Sequence, residues 1–305
     1  MNPLLRRLGR LALPCGFVIC AASFAVTVQA QQAPTAGAES GAPALLEKHA
    51  ALAGQLAQNA YRRPLFLESS EGENAVTGNA YAVLNSPFAA VSGAFKNPRR
   101  WCDMLILHIN TKYCQASTDE SPSVLNVNIG KKTAQQLQDA FSLQFSYRLA
   151  ASSHDYLAAQ LKADKGPLGT HNYRIELHAT PLADGKTFMH LRYSYGYGVA
   201  GRLAMQGYLA TAGSGKVGFT QVRRGAAPAY VDGMRGAVER NTMRYYLAIE
   251  AYLASLDKPP MQQLEARLQH WFDATEQYHR QLHEVNKESY MTMKRAEYQR
   301  QQASS

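Results

Sequence analysis

His279 and His283 stand four residues apart with Glu276 and Glu284 beside them, a spacing that on a helix could present donors to a divalent cation. A solvated polar helix face accounts for the same residues, and no metal is expected. Cys102, Asp103, His108 and Cys114 could be drawn as a metal or Cys–His nucleophile site. No second base or oxyanion donor accompanies them, and a cysteine pair in an exported chain favours a disulfide. Two buried thiols are the alternative, because spacing gives no Cα separation. The sequence contains neither G-x-S-x-G nor H-E-x-x-H. Gly213-Ser214-Gly215-Lys216 fails as a phosphate loop, since Val217 follows where Ser or Thr is required and Ala210 replaces the first glycine. No catalytic residue and no cofactor is assigned.

Two further polar groups need elements to place them. His171, Arg174, His178, His190 and Arg192 lie on the polar side of alternating strands and read as solvated sheet surface. Arg240, Asn241 and Arg244 lie in Met234–Leu256, a stretch with the spacing of a long helix. Val238, Thr242, Tyr245, Ile249, Tyr252 and Leu256 recur every three or four residues and form an apolar stripe. Arg240, Arg244 and Glu250 fall mostly away from it. At the stripe's edge Arg240, Asn241 and Arg244 are candidates to meet a ligand's polar head; surface pairing with Glu239 or Glu250 is the alternative.

The stripe needs a surface to lie against, and the preceding chain supplies one. Phe141–Leu149, Tyr173–Ala179 and Met189–Tyr197 alternate apolar with polar residues, as antiparallel strands with one solvated face do. Ala183-Asp184-Gly185-Lys186 marks a hairpin, Val124–Ile129 a further strand, and Tyr156–Ala163 a strand or short helix. Ala44–Tyr61, Pro87–Lys96 and Pro98–Leu107 read as helices, Leu65–Leu67, Asn74–Leu84 and His108–Ser117 as extended. Gly196–Gly233 interrupts the pattern with an amphipathic piece at Gly201–Ala212 and an expected strand at Lys216–Val222. Beyond Pro260, Met261–Gln302 is helical and polar, with its last two turns expected to face solvent.

Composition bounds the setting. The 305 residues carry a formal charge of +9. Arg6, Arg7 and Arg10 before the apolar run Leu11–Val28 describe a secretory signal peptide over residues 1–30, with a disordered linker over 31–43. Cleavage removes three arginines and no acid, leaving +6. A periplasmic or secreted protein of this charge suits contact with an anionic membrane; no basic block interleaved with aromatics supports nucleic-acid binding.

Strand, two short helices, antiparallel strands and a long apolar-faced helix, in that order, resemble the START-like helix-grip superfamily of lipid-transfer domains, pathogenesis-related plant proteins and polyketide cyclases. The stretch GNAYAVLNSPFAAVSGAFKNPRRW (Gly78–Trp101) is similar to that fold's opening. The resemblance spans roughly Asn74–Leu256. It implies an α+β fold, a curved antiparallel sheet wrapped around a long C-terminal helix, in a domain at 74–258; the extra N-terminal helix and connection (44–73), the glycine-rich insertion (196–233) and the C-terminal helical extension (259–305) depart from its simplest members. It further implies an elongated apolar cavity lined by Phe145, Tyr147, Tyr173, Ile175, Leu191, Tyr193, Tyr195, Tyr245, Ile249 and Tyr252, although such aromatics also fill solid cores. The insertion at 196–233 would form a lid through Leu203, Met205 and Tyr208, with Arg202 and Lys216 near anionic head groups. The function expected is binding or transfer of a lipid or other hydrophobic small molecule. The alternatives are a polyketide-cyclase-like enzyme, or an envelope protein docking through its C-terminal helix.

Overall fold

A computed structural model of the chain describes residues 41–117, 122–211, 213–224 and 227–303. The expected signal peptide and most of the expected linker lie outside the described residues. The first expected helix is two, α1 (Ala42–Ala51) and α2 (Ala53–Ala57), broken at Leu52. Strand β1 (Leu65–Glu71), longer than expected, pairs with β2 (Ala75–Leu84). Then come α3 (Phe88–Phe95) and α4 (Pro98–Leu105), the latter begun by Pro98 after an Asn97 side-chain cap. Six strands follow: β3 (Thr111–Ser117), β4 (Val124–Ile129), β5 (Phe141–Ser152), β6 (Leu157–Lys165), β7 (Thr170–Pro181) and β8 (Thr187–Tyr197). Tyr156–Ala163, left open by the sequence, is therefore strand.

All eight strands form one antiparallel sheet in the order β1-β2-β8-β7-β6-β5-β4-β3. Strands β3 to β8 meander in sequence, and β8 returns to β2. The β7–β8 turn is the expected one: Gly185 adopts φ +81, and Leu182 N–H donates to Lys186 O at 2.9 Å. One face of the sheet packs against α6 (Gly233–Leu253), which crosses β1, β2 and β8. Close approach depends on Gly78 in β2, where a Cβ would overlap Thr242 Oγ1 of α6. The long helix gripped by a meandering sheet is the helix-grip α+β architecture.

Three expectations need correction. First, α6 is not one-sided: the sheet, α4 and α7 (Pro260–Glu276) surround it, so Glu239, Arg240 and Arg244 are buried while Leu256 is partly exposed. Second, the strand expected at Lys216–Val222 is confined to β9 (Gln221–Arg224), paired with an unexpected β10 (Ala227–Tyr230) in a separate hairpin. Turns occupy the preceding glycine-rich stretch. At Gly218 a Cβ would stand 2.5 Å from Glu239 Oε2, whose carboxylate accepts from the Phe219 and Thr220 amides at 2.5 and 2.9 Å. Third, the C-terminal region is broken into α7, α8 (His279–Leu282) and α9 (Lys287–Ala303), and α9 is docked along its length. Its Tyr290, Met291, Met293, Lys294, Glu297 and Gln301 are buried, because Glu297 bridges two interior lysines, Lys112 at 3.0 Å and Lys294 at 2.8 Å.

The opposite sheet face is covered in part. Helix α1 lays Ala42 and Leu45 in a second apolar cluster with Tyr81, Tyr156 and Phe188. His178 and His190, expected on solvated surface, are half-buried there, while Arg174 and Arg192 are exposed. His190 stacks on Tyr81 at 4.3 Å and on His178 at 5.8 Å, and Tyr156 Oη lies 2.7 Å from His178 Nδ1. No described helix is long and apolar enough to cross a membrane.

Candidate ligand-binding site

Helix α5 (Val199–Ala210), the first part of the insertion, closes over the sheet beside α6 and leaves a cavity of about 640 Å³. Each wall follows from a local periodicity. Alternation along β8 turns Tyr193 and Tyr195 to the same side, joined by Tyr173 of β7, Phe141 of β5 and Ile129 of β4. Helical spacing puts Ala237, Arg240, Asn241 and Arg244 on one side of α6, and Ala204, Met205 and Tyr208 on one side of α5. Lys132, from the loop after β4, and Glu284, between α8 and α9, complete the lining.

One end of the lining is aromatic. Tyr173 and Tyr195 stack at 5.3 Å, and Tyr193 meets Tyr245 edge-on at 5.2 Å. Burial raises the pKa of Tyr193, Tyr195 and Tyr173, so the phenols remain protonated donors.

The polar end gathers four cations around one carboxylate. Arg244 Nη2 donates to Glu284 at 2.6 Å and Lys132 Nζ at 2.7 Å; Lys216 Nζ lies 3.7 Å from it. Burial would raise the Glu284 pKa, but Arg244, Lys132 and Lys216 outweigh it and hold the carboxyl below its ordinary value. Arg240 Nη1 donates to Val217 O at 3.3 Å, and Lys132 Nζ to Tyr208 Oη at 2.8 Å. Arg244 Nη1 reaches Asn241 Oδ1 at 3.4 Å, whereas its buried Nε has no hydrogen-bond partner among the described residues. Burial lowers the pKa of both Arg240 and Arg244.

The cavity is smaller than the lining expected from the sequence. Tyr173, Tyr193 and Tyr195 line it, as do Arg240, Asn241, Arg244, Met205 and Tyr208. Phe145, Tyr147, Ile175, Leu191, Tyr245, Ile249 and Tyr252 do not; they belong to the main core, where α6 packs tightly on the sheet. Tyr147 Oη, for instance, donates to Phe95 O and Lys96 O at 3.0 and 2.9 Å. Leu203 projects outward with 62% exposure, and Arg202 turns to Glu73 O at 2.8 Å. Lys132 and Glu284 went unassigned. Glu284 enters the sequence reading only as a neighbour of the His279–His283 pair, and Lys132 carries no signal there.

The other chemistry-bearing residues lie elsewhere. Cys102 of α4 and Cys114 of β3 are joined in a disulfide with Cα atoms 5.1 Å apart, so neither offers a thiol. Asp103 pairs with Arg100 and Arg267. His108 is buried behind the cavity, stacked 4.7 Å from Tyr245 with Nδ1 accepting from Asn110 N–H at 3.2 Å. Burial, aided by Arg244 and Lys294, keeps its imidazole neutral. Glu276, His279 and His283 place donor atoms within 4.8 Å of one another on the surface, where Glu276 and His283 are 3.0 Å apart.

No family model and no curated protein matches the sequence. Among solved structures, Ara h 8.0201 aligns at 11% identity with a TM-score of 0.36, over 59% of this chain and 99% of that one. Human StAR-related lipid transfer protein 5 aligns at 10% and 0.33, over 56% and 91%. ZhuI aromatase/cyclase from Streptomyces sp. R1128 aligns at 10% and 0.32, over 68% and 94%. These are distant likenesses, and the fold assignment rests on the strand order and the α6 packing described above.

Proposed function

We propose that this protein binds a hydrophobic or amphipathic small molecule in the cavity under α5. The observation that carries the reading is the division of one cavity lining into a tyrosine-rich end and a guanidinium-and-ammonium end. At about 640 Å³ the cavity falls within the ~300–1,000 Å³ typical of small-molecule sites. Helix α5 serves as the lid, with Met205 and Tyr208 inward and Leu203 and Val199 outward, where they would meet a lipid surface during loading. The disulfide supports an oxidising compartment and therefore the export expected from the N-terminal sequence.

The test is titration with the neutral fluorophore N-phenyl-1-naphthylamine. Wild-type protein is expected to enhance its emission saturably, and Ala204→Trp, which fills the cavity from α5, to abolish this with unchanged circular dichroism and melting temperature. Equal binding by the variant would place the probe elsewhere and remove the cavity from the reading.

A further inference from the structure

We propose that the ligand carries an anionic group, a carboxylate or a phosphate, and that Glu284 stands in for that group while the cavity is free. The inference rests on the ligand-binding reading above and adds the ligand's chemical class. Of the charged lining residues, Lys132, Arg240 and Arg244 outnumber Glu284 by two at one end of a largely apolar cavity, the exposed Lys131 and Asp139 offset each other, and Lys216 lies 3.7 Å from Glu284 outside the lining. Removing such groups from water is costly unless each is paired, and a neutral ligand would leave the excess uncompensated.

Arg244 gives the more specific sign. Its side chain is 3% exposed, Nη1 and Nη2 are engaged, and Nε has no hydrogen-bond partner among the described residues. A guanidinium offers five N–H donors in a rigid fork, and a carboxylate or phosphate oxygen is the acceptor whose geometry matches it. Arg240, beside Arg244, donates to Val217 O through a long bond and also engages Tyr208, so it adds a second guanidinium to the same end of the lining. Glu284 meets the same demand from within the chain, which allows the cluster to be buried before ligand arrives. It is thereby also the ligand's competitor: an incoming anion must share Arg244 and Lys132 with it.

This competition makes the proposal testable with a matched pair, pyrenebutanoate and pyrenebutanol, titrated by fluorescence against the full protein. In wild type the acid is expected to bind about tenfold tighter than the alcohol, the effect of one or two charge-assisted hydrogen bonds, with the gap narrowing as salt is raised. Glu284→Gln should lower the melting temperature of the ligand-free protein yet tighten the acid further, leaving the alcohol unchanged. Lys132→Met, at a partly exposed position, should weaken the acid and leave the alcohol as in wild type, with circular dichroism checking that the variant is folded. Displacement of the bound acid by oleate or by lysophosphatidate then assigns the head as carboxylate or phosphate, and either supports the proposal. Equal affinity for acid and alcohol in both wild type and Glu284→Gln overturns the anionic head and leaves the cavity reading standing. Failure of both pyrene compounds to bind overturns the two together.

Discussion

His190 is packed between Tyr81 and His178 on the outer sheet face, with Nε2 2.9 Å from Asn79 Oδ1. Burial, with His178, Arg192 and Lys48 nearby, pushes its pKa down to about 3; burial also lowers His178 and His108. In the unfolded chain all three return to an ordinary value of about 6.5. The unfolded state therefore takes up more protons below pH 6.5, and stability falls as the pH drops through that value, by up to ~1.4 kcal/mol per pH unit for each histidine. Urea unfolding at pH 7.5 and pH 5 measures this, and His190→Gln should flatten the slope. A stability unchanged across that interval would show that these imidazoles are hydrated in the fold. Residues of this kind were half legible in the sequence. Alternation correctly assigned His178 and His190 to the face opposite the core, but nothing local announced that α1 would cover them. In the same way, helical spacing joined Arg240, Asn241 and Arg244, while Lys132 and Glu284 meet across 152 positions with no pattern connecting them.

Among the elements, α9 departs furthest from its sequence. A helix reading Lys-Glu-Ser-Tyr-Met-Thr-Met-Lys-Arg looks solvated, since Lys and Glu are seldom fully buried. Here Lys294 is enclosed, with Nζ 2.7 Å from both His108 O and Thr111 O, and burial pushes its pKa down to about 8. Each lysine is uncompensated without Glu297. Glu297→Ala is therefore expected to cost about 3–5 kcal/mol, whereas the triple replacement Lys112→Met, Glu297→Leu, Lys294→Met should recover most of it. Denaturant unfolding of the two variants decides the matter; equal losses would mean that hydrogen bonds to the backbone, rather than charge pairing, hold α9.

At the scale of the whole molecule, the meander from β3 to β8 was legible because alternation is local, and α6 because its apolar spacing runs for 21 residues. The extent of the cavity was not. It depends on where α6 leaves the sheet, and Gly78 opposite Thr242 fixes the close end of that approach without any sequence period to reveal it. The sheet also ends at β3, an outermost strand with no neighbouring strand on its far side, the kind of edge that in bare form pairs with another chain. Side chains of α9 meet it: Gln301 Oε1 accepts from Cys114 N–H at 3.1 Å, and Lys294 reaches Thr111 O. Helix α9 is thus a guard against self-association as much as a source of folding energy. Protein ending at Asn286 should form assemblies that grow with concentration in light scattering, and a monodisperse product would assign α9 to packing alone. Through these side chains a helix takes the place, beside β3, of the neighbouring strand that β3 lacks.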